Sequence, residues 1–362
     1  MHLLITGTGQ LARMMALAAR PLGVDCSFVA EDGEDTAAVT DLGSVIRWRP
    51  GQGIAGQLSV LPTAITTEKE KVPTALIAEL SGLAPFRPTP AALRICQDRS
   101  LEKRFLVEQG IGTAPYVDVQ LAEALDAAVT ALRFPIVLKA CHSGYDGKHQ
   151  WRVRQHEDLE AIRNSLIYPL IAEEFVEFER ELSVNVVRDI HGAVKVYPIM
   201  ENLHREGVLV TTVAPAPGLA PERAEAAAAI GCRIAEALDY VGSLTAELFD
   251  SPGGLLVNEL APRPHNSGHW TMRGAGVCQF ANHVRAVLGL PTATPRLIEP
   301  VAMVNVLGRI PPLESLLGDD VEVHLYQKAP RPGRKLGHLL IGGDPATLSE
   351  RAASLLLRIE AI

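Results

Sequence analysis

The sequence predicts an α/β protein of two or three domains. Short apolar runs alternate with amphipathic stretches through its first third, as strands and helices do in βαβ units. Its 362 residues exceed the ~250–300 that one hydrophobic core usually spans. A proline cluster, PFRPTP at 85–90, marks a first boundary. The net charge of −8 speaks against a nucleic-acid partner, which would bring a basic excess. The five cysteines stand apart with no CxxC pair, so reduced thiols of a cytoplasmic protein are expected rather than disulfides or a thiolate metal site. HLLITGTGQ opens the chain without a basic leader, and no apolar run reaches the roughly 18 residues of a membrane span.

Residues 2–8 read as a buried parallel strand, which turns through Gly7-Thr8-Gly9-Gln10-Leu11-Ala12 into a helix. This GxGxxA pattern lets a phosphate approach a helix N-terminus. The next strand, 24–30, ends at Glu31-Asp32, where a ribose-binding acid would sit. A dinucleotide site is one reading; a glycine turn with no nucleotide is the other. Strands at 44–48 and 64–67 follow, and Glu68 and Glu70 lie at the ligand edge of such a sheet or cap the helix after Pro73. Residues 92–111 read as one charged helix, on which Arg99 and Lys103 share a face open to solvent.

PIVLKA (135–140) is an apolar strand with Lys139 in its middle, and it leads into Ser143-Gly144-Tyr145-Asp146-Gly147-Lys148-His149. A strand lysine followed by a glycine loop can cover nucleotide phosphates. The alternative is a snorkelling lysine beside a hairpin turn. After a helix at 156–165, strands at 170–178 and 181–187 carry Glu173, Glu174 and Glu181, suited to adenine and ribose contacts, and His204 lies near a later turn. An alanine-rich packing helix occupies 221–238.

Two apolar strands, 244–250 and 255–260, each hold one glutamate, Glu247 and Glu259. A tight hairpin would bring both acids to one side, as a divalent cation requires; lysine or arginine partners are the alternative. The segment Asn258–Trp270 then gathers Arg263, His265, Asn266 and His269 between Pro262, Pro264 and Gly268. These breakers keep the two histidines off one helix face and disfavour zinc. His269 and Trp270 are expected to buttress the turn. Strands in 300–342 flank a proline-stiffened basic turn, KAPRPGRK, with Lys328, Arg331, Arg334 and Lys335, either a phosphate holder or a solvated hairpin. Residues 345–358 close the chain as a packing helix.

The ordered set GxGQL, the strand lysine with GYDGK, EEFVEFERELSV, NLHREGVL, NELAPRPHNSGHW and RPGRK resembles the N5-carboxyaminoimidazole ribonucleotide synthases, ATP-grasp enzymes of purine biosynthesis, over nearly the whole chain. The resemblance implies an ATP-grasp fold. Residues 1–95 would form a Rossmann-like (pre-ATP-grasp) domain and 96–175 a small lid domain. Residues 176–362 would form the C-terminal domain, with a β-rich subdomain from about 300. It also implies ATP, Mg²⁺ (or Mn²⁺), bicarbonate and 5-aminoimidazole ribonucleotide as ligands, and a homodimer.

By motif, Arg99, Lys139, Ser143–His149, Glu173, Glu174, Phe175, Val176, Glu181, His204, Asn258 and Glu259 would bind ATP, and Glu247 and Glu259 would hold metal. Gly9, Gln10, Leu11, Glu68, Tyr145, Asp146, Arg263, His265, Asn266, Arg334 and Lys335 would surround the ribonucleotide. Asp146, Arg263, His265, Asn266 and Lys335 would serve the carboxyl transfer, with Asp146 or His265 as base. Departures from the family pattern are Ser143 and His149 for loop glycines, Ala12 for glycine, and TTEKEKVP at 66–73. Rival expectations are a formate-using glycinamide ribonucleotide transformylase, a nicotinamide dehydrogenase built on the first turn and Glu31, and a non-catalytic nucleotide binder.

Overall fold

The computed structural model describes residues 1–142 and 149–361, and in it the strands of the described residues form three sheets. The first holds β1 (His2–Thr6), β2 (Asp25–Glu31), β3 (Ser44–Trp48) and β4 (Ala64–Thr67) in the order β3-β2-β1-β4. Its pairings are parallel, and every residue of β1 is buried. That is why HLLIT reads as a continuous apolar run rather than an alternating one.

The second sheet contains β5 (Tyr116–Val119), β6 (Ile136–Ala140), β7 (Gln150–Val153) and β8 (Leu170–Glu174), ordered β5-β8-β6-β7 and antiparallel throughout. The apolar run expected to extend to 178 stops at Glu174, beyond which the chain crosses to the third sheet. A second correction concerns 92–111. The helix breaks, ending at Cys96 and restarting at Arg99, because the Asp98 carboxylate accepts from the Ser100 and Leu101 N–H groups at 2.9 and 3.2 Å and caps a new N-terminus.

The third sheet joins β9 (Arg180–Arg188), β10 (Val194–Val196), β11 (Met200–Arg205), β12 (Val208–Ala214), β13 (Gly242–Ser251), β14 (Gly254–Ala261), β15 (Val301–Leu307), β16 (Val321–Leu325) and β17 (Lys335–Gly342). Its order is β14-β13-β9-β11-β12-β15-β17-β16, with β10 on β9, so strands after residue 300 continue the sheet across the β12–β15 pairing. The helix Gln279–Val287 fastens this sheet to the first. Its Phe280, Val284 and Val287 pack with Leu11 and Met15, and His283 bridges the Thr66 hydroxyl (2.9 Å) and the Ser243 N–H (3.0 Å). Apolar packing of this kind makes a rigid joint. None of the described helices is long and apolar enough to cross a membrane.

Candidate active site

A cavity of about 450 Å³ opens between the second and third sheets. Its wall brings together Arg99, Lys139, Glu173 to Val176, Glu181, His204, Glu247, Asn258, Glu259, His265 and Lys335, which are spread over more than 230 residues of sequence. Two hairpins and one loop explain the convergence. β13 and β14 pair with Glu247 directly opposite Glu259, so both carboxylates rise from one face of the ribbon. The β11–β12 hairpin holds His204, whose Nδ1 lies 2.8 Å from Glu181 Oε2 on neighbouring β9. The loop after β14 then returns His265 to the same wall, its Nε2 3.5 Å from Glu247 Oε1.

The carboxylates of this wall are held in different ways. Glu173 is buried between Lys103 Nζ at 2.9 Å and Lys139 Nζ at 2.5 Å. Burial alone would raise its carboxyl, but the two ammonium groups outweigh it and hold the value at about 2. Glu259 meets Arg99 Nη1 at 3.1 Å, and Arg99 and Lys139 keep it below the usual range against the cost of burial. Glu247 has weaker relief: burial, then repulsion from Glu259, push it up to about 7, and His204 and Lys335 offset this only in part. Burial works against the charge of His204, yet Glu181 and Glu247 leave its pKa raised. Burial and the Arg263 charge drive His265 well down, so it is neutral.

The neutral His265 has a defined tautomer. Its Nδ1 accepts from the Ser267 N–H at 3.3 Å and lies 2.9 Å from the Ser267 hydroxyl, capping the 3₁₀ turn Asn266–Trp270. The ring proton therefore sits on Nε2, facing Glu247. The backbone of His265 is fixed by one residue that sequence reasoning missed, Gln279. Its Oε1 accepts from the His265 N–H (3.0 Å) and the Asn185 amide (3.0 Å), and its Nε2 donates to the His265 carbonyl (2.7 Å) and faces His269 Nδ1 (3.2 Å). A Cβ on Gly268 would strike that amide, so the loop glycine is there for close approach.

Three family models match consecutive parts of the chain: the ribonucleotide synthetase preATP-grasp domain over residues 1–97, the ATP-grasp domain over 104–280, and the phosphoribosylaminoimidazole carboxylase C-terminal domain over 301–351. The chain is 41% identical to N5-carboxyaminoimidazole ribonucleotide synthase of Vibrio parahaemolyticus, covering 98% of this chain and 94% of that one. It is also 41% identical to the same enzyme of Pseudomonas aeruginosa, covering 99% of each. The crystal structure of the synthetase from Thermus thermophilus superposes with a TM-score of 0.91 at 38% identity, covering 99% of this chain and 98% of that one. The chain belongs to the N5-carboxyaminoimidazole ribonucleotide synthase family. With that family come the ATP-grasp fold and a ligase's chemistry. The Aspergillus clavatus synthase, crystallised with ADP and 5-aminoimidazole ribonucleotide, matches with a TM-score of 0.90 at 26% identity, covering 100% of this chain and 99% of that one.

Within the synthase fold, several expected site residues have other occupations. Glu173 lines the cavity while shared between two lysines. Asn266 is buried and exchanges hydrogen bonds with the Asn305 amide (3.1 and 2.6 Å), so it locks the loop to β15 instead of facing the cavity. His265, with Nδ1 spent on Ser267, has no lone pair for a substrate proton. Lys103 is not solvated but 1% exposed, and nothing in its helical spacing announced that. His269 and Trp270 are fully buried and do buttress the turn.

The first turn is also occupied. Glu68 accepts from the N–H groups of Gly9 (2.6 Å), Leu11 (3.2 Å) and Ala12 (3.2 Å), so a carboxylate stands where a pyrophosphate would lie in a dinucleotide site. Glu31, the ribose acid of that reading, pairs with Lys69 at 2.6 Å. The C-terminal basic turn packs against this region: Lys328 Nζ donates to Gln10 Oε1 (2.7 Å) and Arg334 pairs with Asp35 (2.8 Å). Arg263 pairs with Glu70, another link between the third sheet and the first domain. His149 is exposed and stacks on Trp151 at 6.4 Å. Ser143, Gly144, Tyr145, Asp146, Gly147 and Lys148 lie outside the described residues.

Proposed function

We propose that the chain carboxylates 5-aminoimidazole ribonucleotide, using ATP and bicarbonate and passing through carboxyphosphate. The products are N5-carboxyaminoimidazole ribonucleotide, ADP and phosphate, within purine biosynthesis. The observation that carries this is the cavity wall with Lys139 on one side and the cross-strand pair Glu247 and Glu259 on the other. Phosphoryl transfer calls for that combination of cations and metal-holding acids more than for a covalent nucleophile.

The acid pair fits a divalent cation. Burial, then repulsion from Glu259, leaves Glu247 half-protonated near neutrality, a state that a bound cation would relieve. Mg²⁺, or Mn²⁺, would be held by Glu247 and Glu259 together with phosphate oxygens, and would neutralise charge on the transferring phosphoryl group. Asn258 lies beside the pair and accepts from Lys139 Nζ at 3.1 Å, which sets where that ammonium meets the nucleotide. Arg99 balances Glu259, and Glu174 to Val176 with Glu181 and His204 form the nucleoside end of the cavity.

In the first step a bicarbonate oxygen attacks the γ-phosphorus and the bond to ADP breaks. In the second the amine of the ribonucleotide attacks the carboxyl carbon of carboxyphosphate, phosphate leaves, and the amine gives up a proton. Of the two base candidates Asp146 is the better supported, since the His265 lone pair is engaged. His265 and Lys335 then shape the carboxyl-transfer end, while Gly9 to Leu11, Glu68, Arg263 and Arg334 frame the ribonucleotide. The occupied Gly9 turn supports contact through Glu68 and side chains rather than through free amides. It also weighs against a nicotinamide dehydrogenase. Sheet membership supports domain divisions near residues 95 and 175. A homodimer in the cytoplasm completes the proposal.

The test is ADP release with ATP, bicarbonate and 5-aminoimidazole ribonucleotide, each omitted in turn. Release should require all three. Turnover without bicarbonate would sink the proposal, and turnover driven by formate in its place would point to a formate-using ligase instead.

A further inference from the structure

Lys103 is buried in the helix Arg99–Glu108 behind the cavity wall, out of reach of any ligand in it. Its ammonium nevertheless has three partners. It lies 2.9 Å from Glu173 Oε1, donates to the Thr113 hydroxyl at 2.6 Å, and lies 3.4 Å from the Val257 carbonyl; Thr113 donates to that same carbonyl at 2.8 Å. Glu173 belongs to the second sheet, Val257 to the third, and Asn258, next in the chain, takes the Lys139 ammonium. One buried cation therefore joins the two sheets where Lys139 enters the cavity.

The charges decide what this arrangement does. Lys139 and Glu173 alone would sum to zero, with a carboxylate beside any incoming phosphate. Lys103 brings the trio to one net positive charge in a place where water cannot screen it. We propose that Lys103 is a positioning residue for nucleotide binding: it answers the Glu173 carboxylate so that this acid does not bind up the Lys139 ammonium, which keeps its place on the wall facing phosphate. The proposal rests on the reading of Lys139 as a phosphate ligand.

The experiment is isothermal titration of the full chain with ADP and Mg²⁺, comparing wild type with Lys139→Met, Lys103→Met, Lys103→Arg and the double variant Lys103→Met/Glu173→Gln. Lys103→Met should weaken ADP binding by about tenfold or more, and Lys103→Arg, which keeps the charge, by less than about threefold. The double variant should return to within about threefold of wild type, because the carboxylate that Lys103 answers is gone. A merely structural lysine would lower the unfolding free energy of Lys103→Met in urea but leave the ADP affinity of its folded protein unchanged. Wild-type affinity in Lys103→Met, or a double variant weaker than Lys103→Met, overturns the proposal. If Lys103→Met does not fold, the double variant decides: near-wild-type affinity supports the proposal and a loss beyond about tenfold overturns it. Unchanged binding in Lys139→Met would instead remove the reading of Lys139 on which the proposal stands.

Discussion

Glu173 and Glu247 stand on strands lining one cavity and are both buried, yet they titrate in opposite directions. Glu173 lies between two lysines and stays ionised down to about 2; Glu247 faces another carboxylate and gains a proton near 7. Burial penalises both charges alike, so the difference comes from neighbours. A buried acid whose charge is answered within the fold is part of the scaffold. One left against a like charge, with His204 and Lys335 offsetting it only in part, is where a further positive charge would be stabilising. On the proposed function, the β13–β14 hairpin would be the reactive end of the cavity and the Lys103–Glu173–Lys139 cluster its frame.

The comparison would break if neutral substitutions acted alike at the two ends. Glu259→Gln should cut turnover by about three orders of magnitude or more with the fold intact, since half of the cation site is lost. Glu173→Gln should destabilise the fold by about 3–5 kcal/mol, because it leaves two buried ammonium groups without a counter-charge. Steady-state turnover and urea denaturation of both variants read this directly. A Glu259→Gln protein with near-normal turnover would dismiss the metal role, and a Glu173→Gln protein as stable as wild type would dismiss the frame.

The pH dependence sharpens the same contrast. If Glu247 holds the cation, as proposed, it must be ionised to do so, and below about 7 a proton would compete with Mg²⁺. The half-saturating Mg²⁺ concentration should rise by up to about tenfold for each unit of acidification below that value and level off above it. Stability runs differently at the two acids. Glu247, raised on folding, favours the folded state below its ordinary pKa and loses that contribution as pH climbs through about 7. Glu173, depressed on folding, stabilises above its ordinary pKa and loses that contribution as pH falls towards about 2. A Mg²⁺ requirement independent of pH between about 6 and 8, within ~twofold, would place the Glu247 titration elsewhere.

The sequence made the paired-glutamate hairpin legible and hid the lysine cluster beside it, and the reason is physical. Two glutamates inside apolar strands are conspicuous, because unpaired buried acids are costly and a two-residue period fixes which face they share. The alternation of strands and helices likewise exposed the parallel first sheet. Lys103 looked like half of a solvated helix pair, because helical spacing tells which residues share a face but not whether that face meets water. Gln279 gave no signal at all: its four polar contacts reach His265, Asn185 and His269, and only the packing of its helix brings them together. Asn266 misled in the opposite sense, since a polar side chain in a crowded loop can serve a neighbouring strand as well as a ligand. The helix expected over 92–111 failed at Asp98, whose capping preference competes with helix continuation.

Glu68 extends the comparison to a third kind of acid, half-buried and held chiefly by backbone amides. Burial raises its carboxyl, and the Gly9 and Ala12 N–H groups only partly offset that. Its support is the N-terminus of the helix Gln10–Ala19, an interaction between a charge and backbone dipoles, which is worth less than an ion pair out of water. Glu68→Ala should therefore cost about 1 kcal/mol, the size of a lost helix cap and well short of the Glu173→Gln effect. The helix amides released would remain inside the fold, so the loss should appear in urea denaturation of the free protein, with no nucleotide present. A loss equal to that of Glu173→Gln would mean that backbone dipoles can answer a buried carboxylate as fully as two ammonium groups. The distinction between frame and reactive end would then need a basis other than charge.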